Sequence, residues 1–309
     1  MNPLINKAEM RMRAGIRIPV FMVFSFLIIT IGNSLPLNGV QYLITSALVF
    51  GYFWISFRFV DNRSDISLAG LQLSPLWWKE FGVGCVIAVL AMLFIFLVEL
   101  ASGDLIFMGF SWQNAASNSW LFPFLIFFFQ MLNVGFYEEV MSRSYLIPNF
   151  KEGFTMGKIS PTMATIGAVI FSSIFFSVAH GFNPNLTLLA LVNIALAGVM
   201  LAIPYLLTGR LALSVGIHFA WNFAQGGIFG FRVSGLPIRG SLIQIQQAGN
   251  PTWTGGAFGP EGGIIGTLAI ILVAYLCVIW IRKKKGNLEM APVFTNSYLQ
   301  NEGRSQENP

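Results

Sequence analysis

The sequence predicts an all-α integral membrane protein of about eight transmembrane helices with a buried polar site. Three observations point there. Hydrophobic residues fill 55% of the 309 positions and charged residues only 10%, whereas a soluble domain carries about 25% charged residues. So little charge cannot cover a water-facing surface, and lipid must solvate much of the chain. Apolar runs also recur at about the 20-residue length that a helix needs to cross a bilayer core. Finally, Lys and Arg gather at the ends of those runs. That placement makes the net charge of +5 a mark of membrane topology and not of nucleic-acid binding. The two cysteines, Cys85 and Cys277, fall in separate apolar runs and form no metal or disulfide pattern.

The expected spans are roughly 17–36, 40–58, 81–100, 119–147, 163–181, 186–207, 211–230 and 263–281. Lys7, Arg11, Arg13 and Arg17 precede the first run, Ile18 to Gly32. That run is long for a signal peptide and lacks a small-x-small cleavage site, so it reads as a retained span. Segments 61–80 and 148–160 read as charged linkers, and the chain beyond the Arg282–Lys285 cluster as a polar, disordered tail. No internal repeat stands out.

Basic residues in short loops set the orientation. The N-terminal group and Arg282, Lys283, Lys284 and Lys285 place both termini in the cytoplasm, which requires an even number of spans. Arg58, Arg63, Lys79, Lys151, Lys158 and Arg210 fall on the same side, and the loop around Asp104 on the other. The Gly-rich loop 231–262 would be outside despite Arg232 and Arg239, either as a flexible connector or as a lid or substrate-entry loop. The chain divides into spans 1–3 (1–118), a core of spans 4–7 (119–230), and the loop, last span and basic tail (231–309). Short loops and compact size fit a bacterial plasma membrane.

Against this quiet background some residues stand out. No Lys or Arg occurs from Glu80 to Ser142, and no Asp or Glu from Gly153 to Pro260. The fourth span nevertheless carries Glu138, Glu139 and Arg143. A charge at the centre of a membrane helix costs about 2.5–3.5 kcal/mol on insertion scales and marks function by default; the plainer reading is an acidic pair snorkelling to the interface. The chain has only two histidines, His180 and His218, and both lie in apolar spans. Asn222 follows His218 by four residues and so shares its helix face. Phe176 precedes His180 by four and is expected only to wall the imidazole from lipid.

Helical rise places Glu138 about 13 Å, His218 about 10 Å, Asn222 about 16 Å and His180 about 20–24 Å from the cytoplasmic ends of their spans. A common cavity nearer the cytoplasmic side is the expectation. Glu139 and Arg143 stand at i and i+4 in the favourable order, and Glu138 is turned about 100° from Glu139. One carboxylate can then neutralise the arginine while the other faces the cavity as a general base.

These residues form three motifs: Glu138-Glu139-Val-Met-Ser-Arg143 (EExxxR), Phe176-Ser-Val-Ala-His180 (FxxxH) and His218-Phe-Ala-Trp-Asn222 (HxxxN). Their order on successive apolar spans resembles the CPBP family of intramembrane proteases, which includes Ras-converting CAAX prenyl proteases and bacteriocin-processing or self-immunity proteins. The resemblance covers about residues 119–230. It implies an eight-helix fold and endopeptidase activity on a membrane-associated or CAAX-like peptide or protein. In it Glu138 and His180 would activate water, His218 and Asn222 would hold the oxyanion, and Glu139 and Arg143 would support the site.

The resemblance leaves the cofactor open. A divalent metal such as Zn2+ would take His180, His218 and Glu138 or Glu139, for a His2Glu shell. That would leave only the other Glu as base, so water activation without a metal is favoured. Two other classes compete: a non-catalytic immunity or scaffold protein, and an ion-coupled transporter using a buried carboxylate as proton relay. The second should show inverted repeats, which the sequence lacks. The lipid bilayer is an expected partner and nucleic acid is not.

Overall fold

The computed structural model describes residues 4–6, 11–63, 65–114, 120–155, 159–238 and 240–296. Lys7, Lys158 and Arg239, which entered the topology assignment, lie outside the described residues. Among the described residues seven helices are long and apolar enough to cross a membrane: Ala14–Ser34, Val40–Val60, Pro75–Ser102, Leu121–Thr155, Pro161–Ala179, Leu188–Thr208 and Ile264–Lys285. Between the last two runs Ala212–Phe223, extended by the π-helical turn Ala224–Ile228. This helix is shorter, and in chain order it is the seventh of eight spans. The protein is thus an all-α, multi-pass membrane protein.

Local chemistry explains several span ends. The third span starts at Pro75, six residues before hydropathy alone would start it. Ser74 caps it by accepting from the Trp77 N–H at 3.3 Å, with Pro75 in the first turn. Ser160 and Pro161 open the fifth span in the same way, and Thr187 caps the sixth. Gly103, Gly209 and Gly286 close the third, sixth and eighth spans in the left-handed conformation. The fourth span overruns its expected end near residue 147 and continues as Ile147–Thr155. Polar residues do not stop it, because Asn149, Lys151 and Glu152 are buried and partnered there.

Those partners form a charged clamp at the end of the bundle that holds both termini. Arg17 reaches Asp61 and Glu152, each at 2.6 Å, and Arg11 reaches Glu152 at 3.0 Å. Asn149 donates to Asp61 at 3.0 Å. The first, second and fourth spans are thereby tied together.

The tail is not disordered directly after its basic cluster. Lys151 donates to the carbonyls of Val293 and Asn296 at 2.8 and 2.9 Å, and Thr165 donates to that of Phe294 at 2.7 Å. The Phe294 ring is buried beside Tyr205. An apolar residue with buried partners overrides the polar composition around it. At the opposite end, strand Leu105–Phe110 pairs antiparallel with Ile243–Gln247 from the long loop.

The seventh span lies at the centre. Ala212 to Trp221 is buried without interruption, packed between the third and fourth spans. Two glycines set that spacing. A β-carbon on Gly216 would lie 2.2 Å from the Phe81 carbonyl oxygen, and one on Gly135 would lie 2.7 Å from the Phe219 nitrogen. Close backbone approach of this kind is how membrane helices gain packing energy. Gly216→Ala should therefore destabilise by about 1–3 kcal/mol, as overpacked sites do. Gly15→Ala, where nothing lies within 4 Å, should be neutral. Thermal unfolding of both variants in detergent checks this, and equal midpoints would refute the account.

Candidate active site

The fourth, fifth and seventh spans bring Glu138, Phe176, His180, His218 and Asn222 to one cavity of about 920 Å3. A volume of that size is typical of ligand sites. The cavity does not extend toward the termini end, as the depth argument led one to expect. Its walls are the opposite halves of the first, fourth, fifth and sixth spans, and residues Val233 to Ile238 of the long loop cover it. The charge clamp and docked tail occupy the termini end, and His180 sits at the far C-cap of the fifth span. The long loop is accordingly a wall of the cavity and not a loose connector.

The fourth span changes to π-helical geometry over Val140–Leu146, directly after the two glutamates. Such turns often occur at functional sites. Glu139 is fully buried, and its Oε1 lies 3.1 Å from Arg143 Nη1 and 2.8 Å from His218 Nδ1. Glu138 points into the cavity, with 23% of its side chain exposed, and its Oε2 is 3.8 Å from His218 Nε2. One glutamate thus pairs with Arg143 and the other faces the cavity. The imidazole beside Glu138 is nonetheless His218, which stands between both carboxylates.

Arg143 also donates to the Gly198 carbonyl at 3.2 Å, and its guanidinium lies 4.5 Å from the centroid of the Phe176 ring. Phe176 therefore does more than wall a histidine from lipid. It is buried, packs on His180 and meets His218 edge-on. It takes that place because its face carries the arginine, a cation–π contact strengthened by desolvation.

The Phe176 carbonyl is 2.8 Å from His180 Nδ1. A carbonyl only accepts, so Nδ1 carries the proton and the Nε2 lone pair is available for other groups. The Asn222 side chain makes no hydrogen bond to the protein among the described residues, and it lines the cavity.

One residue of the cavity wall went unread in the sequence. Glu261 is buried at its loop end, and its Oε1 accepts from both the N–H and the hydroxyl of Ser234. Ser234 is held at φ 50° to do so. Burial pushes the Glu261 carboxyl above its usual range, against the pull of the two Ser234 bonds. Its signal was available: it ends the acid-free stretch from Gly153 to Pro260.

A metal here would take its donors from His180, His218 and one of the two glutamates. Zinc needs three protein donors at about 2 Å. His218 Nδ1 is engaged by Glu139 and His180 Nδ1 by a carbonyl, which leaves Nε2 of each ring as the atom that could ligate. Among the described residues no three His, Cys, Asp or Glu side chains stand together as a donor set.

Residues 118–224 match the family model of the type II CAAX prenyl endopeptidase Rce1-like proteins. Over that third of its length the chain is similar to the Rce1-like endopeptidases, which are proteases. No curated protein and no solved structure matches it.

Glu139 and Arg143 neutralise each other out of water, so removing either strands a buried charge, at a cost of about 3–5 kcal/mol. Glu139→Gln and Arg143→Ala should each lower the folded yield sharply, and the double variant should lose less than the sum. Yield of monodisperse protein in detergent measures this; strict additivity would show that the two are not coupled.

Proposed function

We propose that this protein is an intramembrane endopeptidase acting on a membrane-associated or CAAX-like peptide or protein, with Glu138, His180, His218 and Asn222 as its catalytic groups. The observation that carries the proposal is the placement of His218 between two carboxylates, one locked to Arg143 and the other open to a substrate-sized cavity.

Glu138, assisted by the His180 Nε2 lone pair, takes a proton from water as its oxygen attacks the scissile carbonyl carbon. Glu138 and Glu139 with Arg143 leave one excess negative charge. The imidazolium form of His218 balances it, donating through Nδ1 to Glu139 and through Nε2 to the developing oxyanion. The Asn222 amide is the second oxyanion donor. When the tetrahedral intermediate collapses, the C–N bond breaks and the proton held by Glu138 passes to the leaving amine. The products are a carboxylic acid and an amine, which exchange a proton to become carboxylate and ammonium, and the site returns to its starting charge. Glu139, Arg143 and Phe176 act through the histidines they hold. The residues 119–230 form the catalytic core in this reading, flanked by accessory spans.

The orientation is part of the proposal: both termini in the cytoplasm of a plasma membrane, which turns the cavity and long loop outward. Reporter fusions after Gly286 and within 101–118 should report opposite sides; the same side for both would contradict an even number of spans.

The activity itself is tested with purified protein, membrane-associated peptides and mass spectrometry of the products. Glu138→Gln should keep its folded yield and lose about 10²–10⁴-fold in rate. His218→Ala and Asn222→Ala should each lose roughly 10²–10³-fold. Cleavage should persist in the presence of a chelator. A Glu138→Gln protein that cleaves at the wild-type rate would refute the assignment, and reversible loss with chelator would move the mechanism to a metal.

A further inference from the structure

A second pocket, far from the cavity, lies at the termini end between the start of the third span, the turn after the sixth and the end of the eighth. It encloses about 180 Å3. Lys79, Arg210, Lys284 and Lys285 line it, together with Glu80 and an apolar floor that includes Leu76 and Trp280.

These groups are not equivalent. Arg210 holds the buried Glu80 through two hydrogen bonds, which consumes the pocket's one carboxylate. Lys285 donates to the Leu207 carbonyl at the end of the sixth span. Lys79 and Lys284 are exposed. Among the described residues neither has an ion pair or hydrogen bond, so two ammonium groups converge on the pocket with no protein anion to meet them. Counting Lys79, Lys284, Lys285 and Arg210 against Glu80, the pocket carries a net charge of +3.

Its position selects among anions. The pocket opens where the last apolar turns of two spans give way to the basic flank, the level of lipid headgroups. Leu76 and Trp78 are exposed at the start of the third span, and Trp280 stands at the same level of the eighth. Indole rings favour this interfacial layer. A soluble phosphate would use only the cations, whereas a phospholipid also covers the apolar floor with its glycerol and upper acyl chain. Basic pockets between spans on the cytoplasmic side are suited to anionic headgroups.

We propose that this pocket is a binding site for one anionic phospholipid, with its phosphate held by Lys79 and Lys284 and its glycerol end resting on Leu76 and Trp280. The site is independent of the protease reading.

The test counts lipids bound to the full-length, detergent-solubilised protein by native mass spectrometry, during titration with phosphatidylglycerol, phosphatidylcholine or glycerol 3-phosphate. A basic residue near a membrane surface contributes about 1 kcal/mol. Lys79→Gln and Lys284→Gln should therefore each weaken phosphatidylglycerol binding about fivefold, and the pair about thirtyfold. Phosphatidylcholine should bind weakly to every form. Arg282→Gln with Lys283→Gln, on the same helix end but outside the pocket, should retain wild-type binding. Equal losses in the two double variants would reduce the site to diffuse surface charge. Undiminished binding in the Lys79/Lys284 variant would overturn the proposal, as would displacement of the lipid by equimolar glycerol 3-phosphate.

Discussion

The closeness of the seventh span to its neighbours governs the rest of the molecule. Its backbone touches the third span at Gly216 and Gly84, and the fourth at Gly135. With no side chain between them, these helices have one relative position. That position sets the reach from His218 to the fourth span, and the 2.8 Å contact with Glu139 depends on it. A hydrogen bond to a buried carboxylate contributes only within a narrow distance range. The polar cluster is therefore as precise as the apolar contacts that carry it, and glycines without chemistry of their own set its geometry.

The cluster in turn shows how a membrane protein keeps charge out of water. Arg143 is met from three directions: by Glu139, by the Gly198 carbonyl and by the Phe176 ring. Each partner comes from a different span, so neutralising one guanidinium also fixes the fourth, fifth and sixth spans around it. The termini end repeats the device with Arg17, Asp61 and Glu152. Buried ion pairs lend uncertain stability, but an incomplete one is costly. Both clusters thus act against misregistered helices more than they add to the energy of the correct one.

Much of this was legible in the sequence. Length and hydropathy mark the spans, because lipid demands about the same run of apolar residues from each. Glu138, Glu139, Arg143 and the two histidines stand out because charge is rare around them. What could not be read depends on distant residues meeting. The cavity's direction followed from the C-cap position of His180 and from the clamp filling the other end, and neither leaves a local pattern. The Glu139–His218 contact joins residues 79 positions apart. Phe176 read only as a wall between His180 and lipid, because its contact with Arg143 joins two different spans. The docking of Phe294 was hidden by polar neighbours, since composition averages over the one residue that matters.

That docked segment bears on how the protein is made. Residues 291–296 close the termini end by filling a buried place beside Tyr205 and by offering carbonyls to Lys151 and Thr165. They follow the eighth span, so the ribosome delivers them after all the helices they touch. The termini end of the bundle cannot be sealed until residues 291–296 have been made. The fold at this end then waits on synthesis beyond the eighth span, and a chain cut short after that helix would span the membrane yet keep an open seam.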